Sequence, residues 1–209
     1  MKKYMTIVAL LAAGSAFANA AGGTADFDFK ASDLGGATDL VSVTLSDELT
    51  KFDATVTALS GSLTGGAWSG QTGPEYDFIE GASKSASLTL TFGNLVAGES
   101  YDVSLTTGVP FEGSGAWNSL TTDNTYTSSS LALGSQNIAV QTITTYAVTG
   151  VVADNNGEIT FKINNTNGSH SASFNYATIT GAVIPEPSAF GLFAGLGALA
   201  LVGTRRRRK

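Results

Sequence analysis

The 209-residue chain contains no cysteine and a single histidine, His170. The first absence removes disulfides, a Cys-His nucleophile and thiolate zinc sites. The second leaves one imidazole for any hydrolytic triad. It lies in Asn167-Gly168-Ser169-His170-Ser171, a turn-like stretch where an exposed loop histidine is the simpler account. Basic residues are scarce outside the two ends: residues 21–184 hold Lys30, Lys51, Lys84 and Lys162 against sixteen acids, a net charge of −12. That balance excludes nucleic acid as a partner, since polyphosphates need a basic surface, and it suits a soluble, cation-rich exterior. Proline is rare too, and two of the four stand at 185 and 187 around one glutamate. No helical period of useful length runs between Ala21 and Ile184. Without disulfides the fold must rest on its core, and a chain of this size buries roughly 70% of its unfolded surface as one domain.

Alternation is what the chain does have. Phe27 and Phe29 alternate with acids, and Val41, Val43 and Leu45 with Ser and Thr. The same period marks Phe52-x-Ala54-x-Val56-x-Ala58, Leu88-x-Leu90-x-Phe92, Tyr101-x-Val103-x-Leu105 and Ile159-x-Phe161-x-Ile163, with further runs at 138–143, 146–152 and 174–179. Ser and Thr make up 44 of residues 21–184 and are interleaved with apolar positions, which assigns them to solvent faces of strands rather than to a disordered stalk. The pattern predicts an all-β, antiparallel β-sandwich of jelly-roll type with about nine or ten strands.

Two local signals refine it. Leu95-Val96-Ala97-Gly98-Glu99-Ser100-Tyr101 predicts a tyrosine corner, with the ring in the core and the hydroxyl on a nearby backbone group. Asn156-Gly157, between apolar runs, predicts a hairpin turn. Asp154, Asn155, Asn156 and Glu158 also offer oxygen ligands that suit calcium better than zinc. Their spacing lacks the EF-hand order, and a plain turn explains them, so no metal or cofactor is predicted.

Acids are numerous enough for two-carboxylate glycoside hydrolysis, with Glu75, Asp77, Glu80 and Glu112 beside aromatic and Gly-rich loops; solvated surface carboxylates are the simpler reading, and no catalytic residue is assigned. The two Trp residues stand in similar loops. Gly65-Gly66-Ala67-Trp68 runs on to Glu75-Tyr76, and Gly113-Ser114-Gly115-Ala116-Trp117 to Asn118. Trp68 and Trp117 could stack on sugar rings while Glu75, Tyr76 and Asn118 bond hydroxyls; plugging the ends of the core is the simpler reading, since large aromatics are mostly buried.

The two ends carry targeting patterns. Residues 1–20 read as a secretory signal peptide and helix, with Lys2 and Lys3 before an apolar stretch and Ala18-Asn19-Ala20 before a cut at Ala21 by signal peptidase. Residues 188–204 are 17 uncharged residues, which as a helix span ~25 Å of a ~30 Å hydrocarbon layer. The apolar side chains there favour insertion by only ~2–4 kcal/mol together. Arg205, Arg206, Arg207, Arg208 and Lys209 supply the stop, since each Arg costs ~2.5–3.5 kcal/mol at the bilayer centre. A single transmembrane helix over 188–204 then leaves the preceding domain, 21–183, on the far side of the membrane.

Pro185-Glu186-Pro187, the short Gly/Ala/Leu helix and the terminal Arg cluster resemble the PEP-CTERM sorting signal of Gram-negative bacteria, here residues 184–209. The resemblance implies an exosortase, a membrane protease-transpeptidase that cuts near Pro185-Glu186-Pro187. It implies an inner-membrane-tethered precursor with its domain in the periplasm, later moved to the cell surface or to extracellular polysaccharide. A simple single-span anchor is the alternative. The run 146–180, with Gly-x-x-x-Asp-x-x-Gly-x-Ile-x-Phe from Gly150 to Phe161, is similar to the last strands of galactose-binding-like jelly rolls, and 95–103 fits the same layout. That implies a carbohydrate-binding-module-like shape. The expected function is therefore a non-enzymatic surface or matrix protein, glycan-binding or adhesive; a small secreted glycoside hydrolase or lyase, or a ligand-free structural matrix protein, are the alternatives. Replacing Pro185-Glu186-Pro187 by alanines should leave an uncut membrane precursor in cell fractions, and unchanged processing and surface display would refute the exosortase reading.

Overall fold

The computed structural model describes residues 22–67, 71, 73–83, 86–108, 116–130, 133, 136–139, 143–165 and 172–183. Ala18, Ala20, Ala21 and everything from Ile184 to Lys209 lie outside the described residues. Among those described, no helix is long and apolar enough to cross a membrane.

The described chain is all-β. Its fourteen strands are β1 (Gly22–Asp28), β2 (Ser42–Ser46), β3 (Asp53–Ala58), β4 (Leu63–Ala67), β5 (Asp77–Gly81), β6 (Leu88–Gly93), β7 (Ser100–Thr107), β8 (Ala116–Thr122), β9 (Ser128–Ser129), β10 (Gln136–Ala139), β11 (Thr144–Val152), β12 (Ile159–Asn165), β13 (Ser173–Phe174) and β14 (Tyr176–Ala182). Two 3-10 turns, Ala31–Leu34 and Pro74–Tyr76, are the only helical elements described. A five-stranded sheet runs β1-β14-β7-β11-β9 and a six-stranded sheet β10-β8-β12-β6-β3-β2, with a small β13-β5-β4 sheet beside them. Among the described residues every pairing is antiparallel.

The two large sheets form a β-sandwich around one core. Phe27 on β1 faces Phe92 on β6 at 6.0 Å, and Phe52, just before β3, meets the edge of Tyr101 on β7 at 5.9 Å. Each fully buried ring or branched side chain contributes ~1.5–3 kcal/mol of apolar burial. The hydroxyls lie where alternation puts them, on the outer faces, and meet across strands: Thr24 with Thr180, Thr44 with Thr55, Thr91 with Thr160, Thr106 with Thr145 and Ser128 with Thr149, at 2.6–3.0 Å.

The alternation predicts about nine or ten strands, whereas fourteen are described, and several of the additional ones have physical reasons for escaping that pattern. β4 is Leu-Thr-Gly-Gly-Ala, with little to alternate. β5 buries Phe78, Ile79 and Glu80 in succession, so it shows no period of two. The run at 174–179 is two strands: the buried phase shifts from Ala172 and Phe174 to Ala177 and Ile179, and Asn175 is where the chain passes from the small sheet to the five-stranded one. β11 holds a similar slip, with Tyr146 and Val148 buried before Gly150 and Val151 and Ala153 after it. Its register against β7 shifts between Val148 and Val151, and Gly150 takes φ +65° there, which marks a bulge.

The Asn156-Gly157 turn does not join two strands of one sheet, and this corrects the hairpin expectation. β11 pairs with β7 and β9, whereas β12 pairs with β6 and β8. The turn closes locally, Gly157 N donating to Asp154 O at 3.0 Å and Asp154 N to Glu158 O at 2.9 Å, but its arms diverge into opposite sheets. Gly157 takes φ +73°, and a Cβ there would collide with the Leu95 carbonyl, because Leu95 N donates to Gly157 O at 3.1 Å. Leu95 belongs to the other sheet-to-sheet connection, so the two arches are pinned together.

Tyr101 makes the expected corner. Its ring is buried, and its hydroxyl accepts from Val96 N at 2.7 Å and donates to Ala182 O at 2.8 Å. Burial pushes the phenol above its ordinary value, partly opposed by the Val96 N–H and helped by the negative Glu99. A raised phenol pKa makes the stabilisation complete below about pH 10, the unfolded value, and loses it as pH rises through the folded value.

Register also sorts the strand ends into two poles. Gly22 pairs with Ala182, so the start of β1 and the end of β14 lie side by side. Near them are Thr50 in the β2–β3 turn, which Gly23 closely approaches, the 95–99 corner and the 153–158 turn. The opposite pole holds Asp28, Tyr176, Thr106 and Thr144, together with the 3-10 turn Ala31–Leu34.

Candidate functional site

The pole away from Gly22 and Ala182 is organised by Asn175, which is fully buried. Its backbone N donates to Thr106 O at 3.0 Å and its carbonyl accepts from Phe29 N at 3.0 Å, joining β7 and β1 to the β13–β14 junction. Its side-chain amide donates to Glu75 O at 3.0 Å, which holds the Pro74–Tyr76 turn against the sandwich. Two residues earlier, the Ser173 hydroxyl donates to Gly108 O at 3.1 Å, at the point where the chain leaves β7 towards 109–115. One short junction therefore fixes the roots of both segments that the sequence marked as candidate glycan loops.

Glu75 and Tyr76 sit on that 3-10 turn and are half-buried. Ala67 at the end of β4 pairs with Asp77 at the start of β5, so the chain enters and leaves the Trp68 segment at this pole; Trp68 itself lies outside the described residues. Trp117 and Asn118 are on β8, where Asn118 is opposite both Ile138 on β10 and Asn165 on β12; only their backbone is described. The sorting residues Pro185, Glu186 and Pro187, the basic residues Arg205 to Lys209 and the signal-cleavage residues lie outside the described chain, as do His170 and Glu112.

Charge at this pole is concentrated around Lys30. Its ammonium bonds Asp28 at 2.8 Å, and its backbone N donates to Asp33 at 2.9 Å. The Asp28 hydrogen bond and charge hold the Lys30 pKa above its ordinary value, with Asp33 and Asp77 adding smaller pulls. Asp77 and Glu80 are three apart on β5 and so point to opposite faces, which separates two of the carboxylates considered for hydrolysis. At the other pole, the Asp154 carboxylate accepts from Asn156 N at 2.8 Å and Glu158 N at 2.9 Å, so the turn itself uses the oxygen considered for calcium. Among the described residues, no group of three or more His, Cys, Asp or Glu is placed to hold a metal ion.

Sequence reasoning missed a second feature, a pair of adjoining open concavities, one beside the turn from β11 to β12 and one on the outer face of the six-stranded sheet. One, of about 500 Å³, is lined by Asn124, Asp154 and Glu158; the next, of about 420 Å³, by Thr89, Thr121 and Lys162; Asp123 and Thr160 belong to both. Asn124 shapes their junction. Its amide donates to Val152 O at 2.9 Å and Glu158 O at 3.1 Å, while its carbonyl accepts from Thr160 N at 3.0 Å, so one side chain bridges the ends of β11 and β12. Nothing local in Thr122-Asp123-Asn124 announces this, because the partners lie 28 to 36 residues away.

No protein-family model matches the chain, and no curated protein is similar to it.

Asn175→Ala removes the amide that satisfies Glu75 O and should cost about 1–3 kcal/mol in urea unfolding. Hydrogen exchange should also quicken at Tyr76, whose N–H bonds Gly73 O at 3.1 Å. An unchanged midpoint would show that Asn175 does not organise this pole.

Proposed function

We propose that this is an exported, non-enzymatic cell-surface or exopolysaccharide-matrix protein, sorted through a PEP-CTERM-type signal at 184–209 and displaying a glycan-binding or adhesive jelly-roll domain at 21–183. Signal peptidase cuts at Ala21. The tail holds the precursor in the inner membrane with its domain in the periplasm, and an exosortase processes it near Pro185-Glu186-Pro187 on the way to the surface or the extracellular matrix.

The observation that carries the reading is the separation of the poles. Ala182 closes β14 beside Gly22, three residues before Pro185. Three residues span at most about 10 Å, so the processing motif stays close to this pole. The segments bearing Trp68, Glu75, Tyr76 and Trp117 are rooted at the opposite one. A domain tethered by the first pole presents the second outward, as a surface-displayed binding module requires. The hydroxyl-covered outer faces and the charge of −12 between 21 and 184 suit a hydrated, uncharged partner such as a polysaccharide better than a polyanion.

A glycan array comparing wild type with Trp68→Ala/Trp117→Ala tests the binding half. Wild type should bind a subset of surface or extracellular glycans, and the variant should bind about tenfold or more weakly, the loss expected for ~1.4 kcal/mol of stacking. Binding to no glycan would remove the binding claim and favour a ligand-free structural matrix role.

A further inference from the structure

The outer face of the six-stranded sheet carries a regular grid of hydroxyls. Register places Thr44, Thr55, Thr91 and Thr160 in one row across β2, β3, β6 and β12. The adjacent row is Ser42, Thr57, Thr89, Lys162 and Thr121, ending on β8. Neighbours within a row stand ~4.8 Å apart, the spacing of paired strands. The first row is partly satisfied internally, through the Thr44–Thr55 and Thr91–Thr160 hydroxyl pairs at 2.8 and 3.0 Å. Among the described residues, the Thr57 and Thr89 hydroxyls in the second row make no such pair.

Lys162 is the unusual member. Lys30 is tied to Asp28, and Lys51 Nζ donates to Glu48 O. The Lys162 ammonium forms no ion pair among the described residues; register puts Lys162 between Thr89 and Thr121, and all three line the 420 Å³ concavity. Asn164 follows on the same face, its amide donating to the Thr121 hydroxyl at 3.3 Å, and Leu59, half exposed, forms an apolar edge. Each threonine shows one methyl and one hydroxyl, which matches the mixed C–H and O–H faces of a pyranose. The concavity is shallow and open, so it admits an internal stretch of a polymer as well as an end. Asp123 lines the same concavity as Lys162, so the charges of its lining balance, and the strongly negative domain repels polyanions.

We propose that the row through Lys162 is a binding groove for one strand of a neutral polysaccharide, with Lys162 donating to ring or hydroxyl oxygens and the threonines forming the platform. The ligand class rests on the glycan-binding reading above; the location is separate from the Trp segments.

Native electrophoresis of the full chain in mild detergent, through gels containing hydroxyethyl cellulose, dextran or polygalacturonate, tests it. Variants are Lys162→Gln, Thr89→Val/Thr121→Val, which keep strand propensity and shape, and Trp68→Ala/Trp117→Ala. The expected result is retardation by at least one neutral glucan, weakened fivefold or more by either groove variant, with urea midpoints near wild type. Retardation by a neutral glucan that only the Trp variant weakens would overturn the groove while leaving glycan binding intact. Retardation by polygalacturonate alone would overturn the neutral class, and retardation by none of the three would overturn the groove together with its premise.

Discussion

The fold depends on one hydroxyl. Tyr101 Oη accepts a hydrogen bond from the Val96 N–H and donates one to the Ala182 carbonyl, so three parts of the chain are joined: the 95–99 arch between the sheets, the start of β7 and the end of β14. The half-buried Val96 N–H and Ala182 carbonyl are satisfied together. An unpaired buried backbone group costs about 1–3 kcal/mol. The ring is packed edge-on against Phe52, which carries the same constraint into the opposite sheet. Gly157, backed against Leu95, ties in the second arch.

From this corner follows the polarity of the molecule. β14 is the last strand before the tail, and its end is fixed beside Gly22 by the β1 ladder and by Tyr101. Because every described pairing is antiparallel, fixing one pole fixes the other, where Asn175 collects β1, β7 and the Pro74–Tyr76 turn. Between the poles the outer sheet faces carry mainly hydroxyls, with Asp26, Asp53, Asp102 and Lys162 set among them. A chain with no disulfide thus holds the end of β14 and the roots of the candidate binding segments at opposite poles by hydrogen bonds to a few polar side chains, the buried Tyr101 and Asn175 and the half-buried Asn124.

What the sequence made legible was whatever has a short period or a local turn. The alternation of Leu88-x-Leu90-x-Phe92 and Ile159-x-Phe161-x-Ile163 predicts two strands, which the structure pairs directly, and the Leu95-to-Tyr101 spacing predicts a corner with a nearby backbone partner, which is Val96. The bond to Ala182, 81 residues away, was not legible. Asn156-Gly157 correctly announces a tight turn but carries no information on which sheet each arm joins. Asn175 was hidden inside an apparently continuous strand, although the phase slip from Phe174 to Ala177 marks it. At the candidate site, Glu75 and Tyr76 were legible by composition, while the buried amide that anchors them a hundred residues away was not. The groove at Lys162 was invisible for the same reason: Thr57, Thr89 and Thr121 share a row only through pairing.

The most direct measurement is urea unfolding of wild type and Tyr101→Phe at neutral and alkaline pH. The account predicts a loss of about 2 kcal/mol at pH 7 with an unchanged denaturant slope. It further predicts that wild type loses stability above about pH 10, where the unfolded phenol ionises before the folded one, and that the variant loses less over that interval. A neutral-pH difference below about 0.5 kcal/mol, with the same alkaline decline in both proteins, would contradict the central place given to this hydroxyl.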